Sequence, residues 1–221
     1  MRFSNRDDAA RQLAHRLYAY KGARPLVLGL PRGAVPMARV IADALDGDLD
    51  VVLVRKLRAA GQPELAIGAV DEQGRVLHGA YFDRMPEAYV REEIREQQAL
   101  LRSRRARYTQ TRPARDPAGR VVILVDDGVA TGASMLAAVR SVRASGPSRI
   151  VVAVGVAPPE TLDRLRADAD EVVCLYAPAS FGAVGEFFDD FSEVTDDMVL
   201  AALGARSTAG SGGNLPGPVP L

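Results

Sequence analysis

Residues 121–134 read VVILVDDGVATGAS, and no other stretch of the chain narrows the fold as much. Five apolar residues in a row, Val121 to Val125, are the pattern of a strand covered on both faces, as in a parallel sheet. The run ends in two carboxylates, Asp126 and Asp127. A short turn follows, and a helical apolar spacing starts at Ala133. In open α/β sheets, ligands sit just beyond the carboxyl ends of strands. A helix N-terminus there offers free backbone N–H groups and the positive end of its dipole, which suits a phosphate. The turn Gly128, Val129, Ala130, Thr131, Gly132, Ala133 and Ser134 is therefore expected to cradle a phosphate. Gly128 and Gly132 let the backbone come close, and the Thr131 and Ser134 hydroxyls add donors. Asp126 and Asp127 are left to face a sugar, whose hydroxyls two carboxylates can accept, and to help hold Mg²⁺ through them.

The rest of the chain repeats the same alternation. Short apolar runs at Pro25–Leu30, Asp50–Val54, Arg149–Val156 and Glu171–Tyr176 alternate with amphipathic stretches at Asp7–Tyr20, Val35–Leu45, Ala133–Ser145 and Pro159–Ala167. This predicts an α/β fold, an open, mostly parallel twisted sheet flanked by helices. Two regions break the rhythm. Residues 57–83 hold four glycines, Pro63 and only weak strand runs, and read as a flexible loop or hairpin followed by a polar helix over Pro86–Tyr108. Residues 177–195 follow the last strand and carry Phe181, Phe187, Phe188 and Phe191. One domain is expected over residues 1–203. Residues 204–221, rich in Gly, Pro and Ser, read as a disordered tail.

The stretch 121–134 resembles the motif by which type I phosphoribosyltransferases bind phosphoribosyl pyrophosphate (PRPP): four apolar residues, two acidic ones and a turn ending in Thr-Gly. The resemblance implies the fold of that family, with a flexible loop and a small C-terminal hood over the acceptor. It also implies roles. Asp126 and Asp127 would be the catalytic, ribose-facing pair, and residues 128–134 the 5′-phosphate turn. The loop after the first strand, Leu28-Gly29-Leu30-Pro31-Arg32-Gly33, would bind pyrophosphate through Arg32 and Gly33, with Pro31–Arg32 a candidate cis peptide. Arg55 and Lys56, placed at the end of the second strand, would neutralise the leaving pyrophosphate. The hood residues Phe181, Phe187, Phe188 and Asp189 would meet the acceptor. The implied activity is Mg²⁺-dependent transfer of phosphoribosyl from PRPP to a nitrogen acceptor. A non-catalytic PRPP sensor of the same fold is the alternative. A homodimer is the assembly the family suggests.

Other readings fail on detail. Gly128 and Gly132 have the wrong spacing for a Walker A loop, and no Lys follows. A response-regulator receiver shares the Ile123–Asp127 opening but needs a phospho-acceptor Asp after a later strand, where this chain has Ala157-Pro158. The family's 6-oxopurine enzymes carry an Asp before the Thr-Gly and a Lys at the end of the next strand. Ala130 and Ala157 stand in those neighbourhoods, which argues against hypoxanthine, guanine or xanthine as acceptor. Twenty-eight basic and 28 acidic residues give zero net charge, which argues against nucleic-acid binding by bulk electrostatics. Arg102, Arg104, Arg105 and Arg107 read as an exposed, charge-laced helix face. The single cysteine, Cys174, rules out an internal disulfide. The charged first eleven residues lack the apolar core of a signal peptide, and no apolar run is long enough for a membrane span, so the expected location is the cytoplasm.

Overall fold

A computed structural model describes residues 2–108 and 114–204. Its central sheet holds β1 Leu26–Gly29, β2 Asp48–Val51, β6 Val121–Gly128, β7 Arg149–Val156 and β8 Glu171–Tyr176. All five run parallel, in the order β2-β1-β6-β7-β8. A second, antiparallel sheet holds β3 Val54–Ala59, β4 Gln62–Asp71 and β5 Val76–His78. The helices are α1 Arg6–Arg16, α2 Ala34–Ala44, α3 Glu87–Tyr108, α4 Ala133–Arg143, α5 Pro159–Asp168 and α6 Asp196–Gly204.

The period of two along each strand sorts the core into two layers. Val27, Ile123, Val125, Val151 and Ala153 face one side, where they pack with Leu13 of α1, Ile41 of α2 and Val199 of α6. Leu26, Leu28, Val122, Leu124, Ile150 and Val152 face the other, against Met135 and Val139 of α4 and Leu162 of α5. Continued past Val125, the same parity sends Asp126 toward the α4 side and Asp127 toward the α1 side.

Four features differ from the expectation or refine it. The apolar run at 50–54 is not one strand: β2 stops at Val51, and the chain enters the second sheet at Val54. Residues 57–83 take the hairpin form of the expectation and are mostly strand: Gly61 and Gly74 turn the chain in left-handed conformations, whereas Gly68 serves close strand approach, since a Cβ there would lie 2.5 Å from the Leu77 carbonyl oxygen. Arg105 does not belong to an exposed face. Its side chain is 15% exposed and bound to Asp50 and Glu72. Helix α6 was not expected at all, and it buries Val199 and Leu203. The expected tail lies outside the described residues except Gly204, which closes α6.

Candidate functional site

β6 continues through both aspartates to Gly128, since Asp126 and Gly128 still pair with Val154 and Val156 of β7. The Val129 N–H donates to the Val156 carbonyl (2.8 Å), and the chain then turns away. Gly132 adopts a left-handed conformation (φ +79°), which a side chain would oppose, and α4 starts at the next residue. No side chain caps this helix. Its first N–H groups therefore lack the partner that a Ser or Asp usually supplies. The turn is fixed from behind by Thr161 of α5, whose hydroxyl donates to the Ala130 carbonyl at 2.7 Å. Thr131 and Ser134 are not buried, and their hydroxyls make no hydrogen bond among the described residues. Gly128 has a different use from the expected one. A Cβ there would meet Val184 at 2.5 Å and Val156 at 2.8 Å, so its bare backbone admits the hood segment as well as any ligand.

The two carboxylates are not equivalent. Asp127 is 9% exposed, and its Oδ2 accepts a hydrogen bond from Nε of Arg6 at 2.7 Å. Asp126 has no cation of its own among the described residues; its Oδ1 accepts the Asp127 N–H at 3.0 Å. Burial, and then the negative charge of Asp127, push the Asp126 carboxyl well above the usual carboxylate range.

The loop 31–33 lies beside this pair. Pro31–Arg32 is a cis peptide. Gly33 approaches so closely that a Cβ would sit 2.5 Å from Asp127 Oδ2. Arg32 is exposed and pairs with Glu193 from the segment after the hood. Arg55 and Lys56 open β3 and do not end β2, so as strand neighbours they point to opposite faces. Lys56 is exposed and lines a cavity of about 190 Å³ with Leu77, Ala133, Leu136 and Arg140, next to the start of α4. Arg55 turns to α3, where its Nε donates to Gln97. Burial, then repulsion from Arg104 and Arg58, lower the Arg55 pKa.

The hood aromatics divide between core and surface. Phe188 is 2% exposed and packed between Phe3 and Phe191, so it has no free face for an acceptor. This corrects the stacking role expected of it; a bare ring at a strand-like position filled the core first. Phe187 is also buried, against Phe181 and Tyr176. Phe181 is partly exposed, and Asp189 is exposed and paired with Arg2 (3.3 Å). The N-terminal segment fastens the hood through Phe3 N–H to the Phe187 carbonyl (2.8 Å) and Asp189 N–H to the Phe3 carbonyl (2.9 Å).

The sequence reading missed Arg6 and Thr161. Neither carries a motif: Arg6 is the first residue of an ordinary amphipathic helix, and Thr161 lies within the first turn of another. The parity of β6, which aims Asp127 at the α1 layer, is the one signal that pointed toward Arg6.

A parallel sheet with an acidic pair, an uncapped helix and a glycine turn at one strand end defines an α/β protein, in a class whose ligands commonly sit beyond the strand ends. The comparisons narrow the class. The phosphoribosyl transferase domain matches residues 4–190, and the chain belongs to that family. Rv0571c of Mycobacterium tuberculosis (strain H37Rv), which bears a provisional phosphoribosyl transferase name, is 43% identical over 208 residues, covering 91% of this chain. The chain spans 46% of that relative, about half its length. The crystal structure of TT1426 from Thermus thermophilus is 50% identical and superimposes with a TM-score of 0.83, covering 92% of this chain and 98% of that one. Among the described residues, no helix is long and apolar enough to cross a membrane.

Proposed function

We propose that the chain binds PRPP with Mg²⁺ at the carboxyl end of β6 and transfers its phosphoribosyl group to a nitrogen acceptor. The observation that carries this reading is the uncapped N-terminus of α4 behind the left-handed Gly132, flanked by the unengaged Thr131 and Ser134 hydroxyls. Residues 128–134 take the 5′-phosphate. Asp126 and Asp127 accept the ribose hydroxyls, and their negative charge favours the positive charge that develops on the ring in an oxocarbenium-like transition state. The bond from C1 to the pyrophosphate oxygen breaks, the pyrophosphate keeps the electron pair, and a C1–N bond forms as the acceptor nitrogen loses its proton to solvent. Arg32, Gly33 and Lys56 receive the pyrophosphate, and Arg55 adds positive field from the other face of β3.

Carboxylate oxygens are the right donors for Mg²⁺, which commonly takes one or two of them and fills its shell with substrate oxygens and water. Among the described residues no group of three His, Cys, Asp or Glu forms a metal cage. That fits an ion held jointly with its polyphosphate, Asp126 and Asp127 acting through ribose hydroxyls or water. When bound, it would neutralise the leaving group. Ala130 is small and Ala157 is fully buried, so neither position supplies the acid or the amine that a 6-oxopurine would need. Phe181 is the hood ring left with an open face for a flat acceptor.

A pyrophosphate-release assay with PRPP, Mg²⁺ and a panel of nitrogen bases tests the proposal. Acceptor-dependent release by the wild type, lost in Asp127→Asn, is expected. Release that the substitution leaves intact would contradict the role of Asp127. PRPP binding with no release for any acceptor would instead identify a PRPP-sensing regulator.

A further inference from the structure

We infer that Arg6 is a direct ligand of the diphosphate of PRPP, reaching the site from the opposite end of the chain. The inference rests on the proposed reading of the site. Arg6 is the first residue of α1, and its guanidinium lies between the acidic pair and the loop 31–33. Nε donates to Asp127 Oδ2 at 2.7 Å, and Nη1 donates to the Ser192 carbonyl at 2.7 Å. The Phe191 ring lies 3.8 Å from the guanidinium carbon and covers one face. Two nitrogens and one face are thus fixed, and a planar guanidinium fixed at those points has a set orientation. The remaining nitrogen, Nη2, makes no hydrogen bond among the described residues. It lies 3.4 Å from where a Gly33 Cβ would stand, beside the loop expected to hold pyrophosphate. The Arg6 side chain is only 16% exposed, so an anion meeting Nη2 would find a donor shielded from solvent and already oriented.

The same geometry explains why position 33 is glycine. A Cβ would stand 2.5 Å from Asp127 Oδ2 and 3.3 Å from Arg6 Nε, inside the ion pair itself. Arg6 therefore links three parts of the site: the ribose-facing carboxylate, the pyrophosphate loop and the segment after the hood.

Isothermal titration separates direct contact from mere support. Mg²⁺·PRPP and ribose 5-phosphate, which lacks the diphosphate, are each titrated into wild type, Arg6→Gln, Arg6→Lys and the control Arg2→Gln, with melting curves for all. Loss of a charge-assisted hydrogen bond to the diphosphate predicts PRPP affinity about 10- to 100-fold weaker in Arg6→Gln. Ribose 5-phosphate should change by less than about threefold, because the ribose and 5′-phosphate contacts remain. Arg6→Lys should recover part of the loss, since it keeps the charge without the fork. Arg2→Gln, which alters an exposed pair of the same segment, should bind as wild type. Equal losses for both ligands would reduce Arg6 to a support for Asp127 and overturn the inference, as would unchanged PRPP affinity. If Arg6→Gln does not fold, Arg6→Lys decides alone: PRPP affinity equal to wild type overturns the inference, and a several-fold loss confined to PRPP upholds it. A folded wild type that binds neither ligand would overturn the reading of the site itself.

Discussion

Two groups of carboxylates lie near the carboxyl ends of parallel strands in one sheet, and they are built in opposite ways. Around β2, every charge is answered. Asp50 Oδ1 accepts from Arg105 Nη1 (3.0 Å) and the Val51 N–H (2.7 Å), and its Oδ2 accepts the Arg115 N–H (2.7 Å). Glu72 takes the rest of the Arg105 fork, at 2.6 Å from Nη2. Asp71, 1% exposed, accepts from Arg75 Nε and the Ser141 hydroxyl, each at 2.7 Å. Burial works against the Arg105 charge, but its hydrogen bonds to Glu72 and the fields of Asp50 and Glu72 outweigh it and raise its pKa. At β6, by contrast, the one guanidinium at hand pairs with Asp127, and Asp126 has no ion-pair partner among the described residues. The first group closes on itself and ties the small sheet to the body of the protein. The second is incomplete, and incompleteness at a strand end beside an uncapped helix is what a ligand can complete.

The sharpest way to break this contrast is to remove Arg105. Arg105→Met takes the guanidinium from buried Asp50 and half-buried Glu72 and should destabilise the fold by about 3–5 kcal/mol, read from denaturant unfolding. A loss below about 1 kcal/mol would mean that the β2 group is no better answered than an exposed pair. The β6 group should respond with the opposite sign. Asp126 takes up a proton more readily in the folded protein than in the unfolded chain. The folded state therefore holds more protons between the ordinary carboxylate range and the raised value, and stability falls as pH rises through that window. In the ligand-free protein, Asp126→Asn should remove this loss, making the variant more stable than wild type at neutral pH and equal to it below the ordinary carboxylate range. Unfolding curves over a pH series check the crossover; a variant less stable at neutral pH would show that Asp126 is answered after all. The smallest effect concerns Glu193. Its pair with Arg32 is exposed (40% and 74% for the Arg32 and Glu193 side chains) and competes with any anion at the loop. Such pairs contribute about 0–1 kcal/mol, so Glu193→Gln should tighten PRPP binding by no more than about fivefold. Weaker binding would mean that Glu193 assists the ligand.

Much of this was legible in the sequence where burial is two-sided and continuous. β7 begins and ends where its apolar run does, because a strand covered on both faces leaves no room for a polar interruption. The acidic pair and the glycine turn were legible because their chemistry is local: a strand end, a turn and a helix start lie within fourteen residues of one another. What stayed hidden depends on contacts across the chain. Arg6 and Asp127 are separated by 121 positions, and Arg105 and Asp50 by 55. No spacing rule marks such pairs, and an Arg on an amphipathic helix reads the same whether it meets solvent or a carboxylate. The switch of sheets between Val51 and Val54 was invisible for a related reason, since apolar residues run unbroken through it.

The central claim is that the incomplete carboxylate pair at β6 is completed by a phosphorylated sugar and its metal. Isothermal titration of PRPP, with and without Mg²⁺, into wild type and Asp126→Asn/Asp127→Asn tests it most directly. The account requires Mg²⁺-dependent binding by the wild type that the folded double variant loses. Undiminished binding by the double variant, or no binding by a folded wild type, would contradict it.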